Sequence, residues 1–190
     1  HMQGEVRLTR RDVLRLGAAT GLGLAMGGCP ADRRDAARES TEAPEGPADV
    51  TIRIAPVLVE LAPHVVISTI GYNGSVPAPI LRLREGRPVT VELINETDTP
   101  ELVHWHGQFV PPEIDGAAEE GTPPVPPHGR RRYVLTPRPS GTRWVHTHAF
   151  AGPELHRGMY TGQFGFVFIE PANDPGRYDR EVFLATHEWE

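Results

Sequence analysis

Apolar and polar residues alternate along most of this chain in short runs and do not recur at helical spacing. In the run from Val89 to Ile94, residues Val89, Val91 and Leu93 fall on one side and Thr90, Glu92 and Ile94 on the other. That period of two puts one face of a strand in a core. Comparable segments are VTIRIAPVLVEL from Val50, HVVISTIGYNG from His64, PILRLREGRPVTVELIN from Pro79, RRRYVLTP from Arg130, GTRWVHTHA from Gly141, GQFGFVFIEP from Gly162 and REVFLATHEWE from Arg180. Turn residues punctuate them, and seven or eight short strands so spaced predict an all-β fold, an antiparallel β-sandwich of Greek-key type. The stretch GQFVPPEIDGAAEEGTPPVPPHG, residues 107–129, carries too much proline and glycine for regular structure and reads as one long loop. Long ordered loops in compact domains are often functional.

The first 49 residues have a different character. LTRRDVLRLGAATGLGLAMGGC pairs Arg10 with Arg11 ahead of a Gly/Ala/Leu run that ends in small residues before Cys29, the layout of an export signal. The run is too short and glycine-rich for a stable membrane span. It resembles a twin-arginine signal, and MGGC resembles a lipoprotein cleavage box with Met26 at its first position. Two outcomes stay open: Cys29 as a lipidated N-terminus, or a cleaved signal with an incidental cysteine. Residues 30–49 are charged, rich in Ala and Pro and without apolar periodicity, the composition of a disordered tether. The domain reading is therefore signal 1–29, tether 30–49, folded domain 50–172, and 173–190 as the start of a linker.

Composition narrows the chemistry. With 190 residues, 38% of them hydrophobic, the chain suits one sizeable core. A net charge of −6 argues against nucleic acid as a partner, since phosphate binding calls for a basic face. Cys29 is the only cysteine, so the folded part has neither a disulfide nor a thiolate ligand.

Four of the nine histidines stand in two i, i+2 pairs, His104 with His106 in HWHG and His146 with His148 in HTH. On a strand each pair points to one face, its members about 6–7 Å apart. Two neighbouring strand ends would bring four imidazoles to one small volume. Imidazole without thiolate or carboxylate in the set favours copper or zinc, and an all-histidine set is more typical of a catalytic than of a structural metal.

Taken with these pairs, YNGSVPAPILRLREGRPVTVELIN, the DG after Ile114, PRPSGTRWVHTH and RGMYTGQFGFVFIEP resemble the N-terminal cupredoxin domain of laccase-like multicopper oxidases over roughly residues 50–172. The resemblance implies a cupredoxin-like Greek-key β-sandwich that supplies four of the eight histidines of a trinuclear copper cluster. It implies His104 as a ligand of the type 2 copper, His106 and His146 as ligands of one type 3 copper, and His148 as a ligand of the other. It implies Asp115 as an outer acidic residue assisting proton delivery while dioxygen is reduced to water. The type 1 copper of the family needs a cysteine and two histidines, which this domain does not contain. The expectation is a front portion of a longer exported enzyme, periplasmic or extracellular, completed by a C-terminal cupredoxin domain or, alternatively, by a symmetry-related subunit. The reducing substrate is not readable.

Two other classes remain open on the residues alone: a non-catalytic copper-binding cupredoxin for storage or scaffolding, and a zinc-dependent hydrolase or lyase in which three histidines leave an open position. The remaining assignments are expectations of surface or structural roles. His128, His156, Glu119 and Glu120 are placed in solvent, His64 at a strand start, and Arg130 to Arg132 along a solvated strand edge. His187 is a ligand only if the chain folds back. Trp105 and Trp144 are expected to pack under the histidines and wall them from solvent.

Overall fold

Hydrophobic alternation sets which side of each strand is buried, and two sheets result. The structure, a computed structural model, describes residues 45–150, 152, 157–174 and 176–189. The export segment, Cys29, residues 30–44 of the tether and His156 lie outside the described residues.

The strands are β1 (Val50–Ala62), β2 (Val65–Tyr72), β3 (Ala78–Arg84), β4 (Val89–Asn95), β5 (Val103–His106), β6 (Arg130–Leu135), β7 (Gly141–Thr147) and β8 (Phe164–Glu170). One sheet runs β2-β1-β4-β6 and the other β3-β8-β7-β5. The pairing is not purely antiparallel as the sequence predicted: β1 runs parallel to β4 and β3 parallel to β8. Between β1 and β4 the chain forms the β2 hairpin and sends β3 into the other sheet. It then re-enters beside β1 in the same direction, a Greek-key crossing that local alternation does not encode.

The facing sides of the two sheets make the core. Ile52, Ile54, Val91, Leu93, Tyr133, Leu135, Val145, Val167 and Ile169 are each at most 3% exposed, and a fully buried aliphatic side chain contributes about 1.5–3 kcal/mol. In β4 the buried apolar members are Val91 and Leu93, on the side the alternation assigned to the core, while Thr90 on the other side is also buried at 8% exposure. Asn95 ends that strand at 1% exposure. Its amide donates to the carbonyls of Thr99, Val125 and Pro126 at 2.7, 3.1 and 3.1 Å, which fixes the approach into β5.

Two segments differ from the sequence reading. Residues 107–129 contain a short helix, α1 (Pro112–Asp115), and a 3-10 turn at Ala118–Glu120; Pro112 at its first position needs no amide donor, so the proline that argued for loop starts the helix. Among the described residues of REVFLATHEWE none is in a strand. Phe183 instead stacks on Phe166 and Phe168, ring centres 5.4 and 5.9 Å apart, because the segment meets the face of β8 and not a free ladder edge.

Candidate metal centre

Strand register brings the two histidine pairs together. In β5 against β7, His104 faces His146 and His106 faces Trp144. Residues opposite each other in a ladder share a face, so all these rings stand on the outer side of the second sheet, while Val103, Trp105, Val145 and Thr147 point into the core. The row continues into β8, where Phe164 faces His146 and Phe166 faces Trp144.

His104, His106 and His146 form a cluster whose ligand atoms all lie within 4.8 Å of one another. His148 stands beside it, its ring centre 5.0 Å from that of His104 and 5.8 Å from that of His146. Hydrogen bonds define the tautomers, because a carbonyl can only accept. His104 Nδ1 donates to the Asp115 carbonyl at 2.8 Å, with the Asp115 carboxylate 3.1 Å away, leaving Nε2 free. His146 Nδ1 donates to the Thr147 carbonyl at 2.9 Å, leaving its Nε2 to accept from His106 Nδ1 at 3.3 Å. A partner on the far nitrogen is how ligating imidazoles are oriented. Burial, reinforced by the neighbouring imidazoles and opposed by the Thr147 bond, pushes His146 down to about 4. It is therefore neutral near pH 7, the state that binds metal. A neutral His146 grouped with two further imidazoles whose ligand atoms converge fits copper.

The loop after β5 carries more of the site than its composition suggests. Gly116 has φ 95°, and a Cβ there would overlap the Val103 carbonyl oxygen and His104 Cα. Only glycine lets the loop lie against β5, which is what brings Asp115 to His104. Arg131 of β6 donates to the carbonyls of Glu113 and, at 3.1 Å, Pro123, tying the loop down; its place in an arginine run gave no sign of this. Glu119 is exposed, as expected, with a carboxylate oxygen 3.5 Å from His148 Nδ1.

Trp144 stacks on His146 with ring centres 4.0 Å apart at 29°, as expected of a wall beside the histidines. Trp105 does not do so. It is 1% exposed on the core side and its indole donates to the Tyr133 hydroxyl at 2.8 Å, because an i+1 residue of a strand points away from its i and i+2 neighbours. His187 bonds the Tyr160 carbonyl at 3.0 Å and is not in the cluster. His64 and His128 occupy left-handed turn positions with φ 69° and 54°, and His128 pairs with Asp98 at 2.8 Å.

Known proteins similar to this chain show its family. A family model described as multicopper oxidase matches residues 55–174. The chain belongs to the multicopper oxidase family. Multicopper oxidase MmcO of Mycobacterium tuberculosis is 30% identical over 192 residues, which cover 96% of this chain and 36% of that protein. Copper resistance protein A of Pseudomonas syringae pv. tomato is 32% identical over 64% of this chain and 19% of its own length. The crystal structure of a multicopper oxidase from Pseudomonas thermotolerans superposes with TM-score 0.60 at 32% identity, covering 68% of this chain and 32% of that one. The chain thus spans about a third or less of each of these multicopper oxidase relatives. The fold is cupredoxin-like, and these relatives give a zinc hydrolase or lyase no support.

Proposed function

We propose that this chain is the amino-terminal cupredoxin domain of an exported multicopper oxidase that couples one-electron oxidation of a reducing substrate to reduction of dioxygen to water. The observation that carries the reading is the placement of His104, His106 and His146 on the outer face of β5 and β7, away from the domain's own core, with His148 one residue past the end of β7. A set so placed is open to ligands from a second body, either a C-terminal cupredoxin domain or another subunit. Bound copper would supply the one-electron steps between substrate and dioxygen.

The residues divide the remaining work. His104 presents Nε2 to the type 2 position, with Asp115 holding the opposite nitrogen. The grouping of His106 with His146 in one cluster supports a shared type 3 copper, and His148, beside that cluster, supports the other. The Asp115 side chain, 22% exposed and 3.1 Å from His104, stands between solvent and the site, which supports its role as the outer acidic residue. Trp144 shields one side of His146. The twin-arginine segment directs export, with Cys29 as a lipid attachment point.

The test is copper loading of the full chain under anaerobic conditions, with metal content and an electron paramagnetic resonance spectrum, beside a His104→Ala, His146→Ala variant. Bound copper with a nitrogen-ligand signal that the variant loses supports the reading, with little oxidase activity from this chain alone. Copper retained equally by both proteins would refute the assignment of these histidines.

A further inference from the structure

Glu101 lies three residues before His104 and is 3% exposed. Its backbone exchanges hydrogen bonds with Val125 at 3.0 and 2.8 Å, so its position does not depend on its side chain. The carboxyl group enters the core side of β7. There Gln163 Nε2 donates to Oε2 at 3.0 Å and the Thr147 hydroxyl, 3.4 Å away, donates to the same oxygen. Both donors are neutral. Burial lifts the carboxyl to about 7, against the pull of Gln163 and Thr147.

The other groups facing Glu101 can be named element by element. From β2 comes the buried Tyr72 phenol, itself raised by burial first and by Glu101 second. From the turn before β8 comes the Thr161 hydroxyl, which meets Gln163 Oε1 at 3.2 Å. Thr147 sits between His146 and His148, so on the far face of the same strand are two imidazoles of the metal centre. On the open side Glu101 helps line a groove of about 540 Å³ whose charged residues are Glu96, Asp98 and Arg157. A glutamine at this position would satisfy the same cradle sterically; the carboxyl adds the ability to ionise.

We propose that Glu101 is a built-in counter-charge for the copper centre, giving up its proton as the histidines across the strand take up copper. The proposal rests on the copper reading above. In the step one carboxyl O–H bond breaks, its electron pair stays on Glu101, and water in the groove takes the proton. Cationic metal held behind a single strand in a weakly polar interior stabilises the carboxylate. Linkage makes the effect reciprocal, so raising the pH through neutrality tightens copper binding.

The test is proton release on adding copper ions to the metal-free full chain, measured by titration in weakly buffered solution for wild type and Glu101→Gln. Wild type is expected to release about half a proton more than the variant at pH 7, with the excess gone at pH 9, where Glu101 is already ionised. Equal release by two folded, copper-binding proteins would overturn the proposal while leaving the family reading intact. A chain that binds no copper would overturn both the histidine assignment and this role. Should the variant not fold, infrared spectroscopy of wild type at pH 6 decides. The carbonyl band of a protonated buried carboxyl is expected to fade as copper is added, and a band that persists at saturation refutes the role.

Discussion

Replacing Gly116 by alanine tests whether the loop after β5 is pressed onto the strand that carries His104. Two costs arise, and the structure separates them. At φ 95° an L residue is strained, by about 1–2 kcal/mol. The new Cβ also meets the Val103 carbonyl and His104 Cα, and forcing atoms into packed backbone adds about 1–3 kcal/mol. Gly86 provides the control: its φ is 72° and a Cβ there meets nothing within 4 Å, so Gly86→Ala carries the strain alone. The gain from a stiffer unfolded chain is common to both and cancels in the comparison. Urea unfolding of the metal-free proteins should therefore place Gly116→Ala about 1–3 kcal/mol below Gly86→Ala. With a urea slope of about 1–3 kcal/mol/M that is a midpoint difference of roughly 1 M. Copper affinity should fall about 10–100-fold in Gly116→Ala only, because moving the loop withdraws Asp115 from His104. Equal midpoints for the two variants would refute the close approach and the positioning argument built on it.

Trp105→Phe removes the donor to the buried Tyr133 hydroxyl and should lower stability by about 1–3 kcal/mol in denaturant unfolding, with copper stoichiometry unchanged because this ring faces the core. The raised proton affinity of Glu101 fixes the sign of a pH effect. The folded carboxyl holds its proton up to about 7 against 4.5 for the unfolded group, so its contribution is present below pH 4.5 and is lost as pH rises towards 7. Glu101→Gln should then gain on wild type by roughly 3 kcal/mol between pH 4 and pH 8, and a difference independent of pH would contradict the burial argument.

Strand alternation was legible in the sequence wherever one face of a strand is buried, as in β4, because a period of two is a local property of extended backbone. The same rule carried the i, i+2 histidines: pairs on one face of extended backbone follow from residue spacing alone, and their residue type suited copper or zinc, with copper singled out only by the family resemblance. The partner of each strand was not local. That β1 lies parallel to β4, and that Phe183 packs against β8 while residues 180–189 add no strand, depends on which surfaces remain after the sheets close. Trp105 marks a place where the local rule was available and pointed inward, although its neighbours in HWHG suggested otherwise. The supporting residues needed tertiary structure throughout. Arg131 ties down the loop through Glu113, 18 residues away, and Glu101 is held by Gln163, 62 residues away, and no periodicity records a contact made by a loop folded back on a strand. Residue spacing thus determined which side chains share a face; only the packing of two sheets and one loop decided what stands behind each imidazole, since hydrogen bonds and burial depend on distance in space and not along the chain.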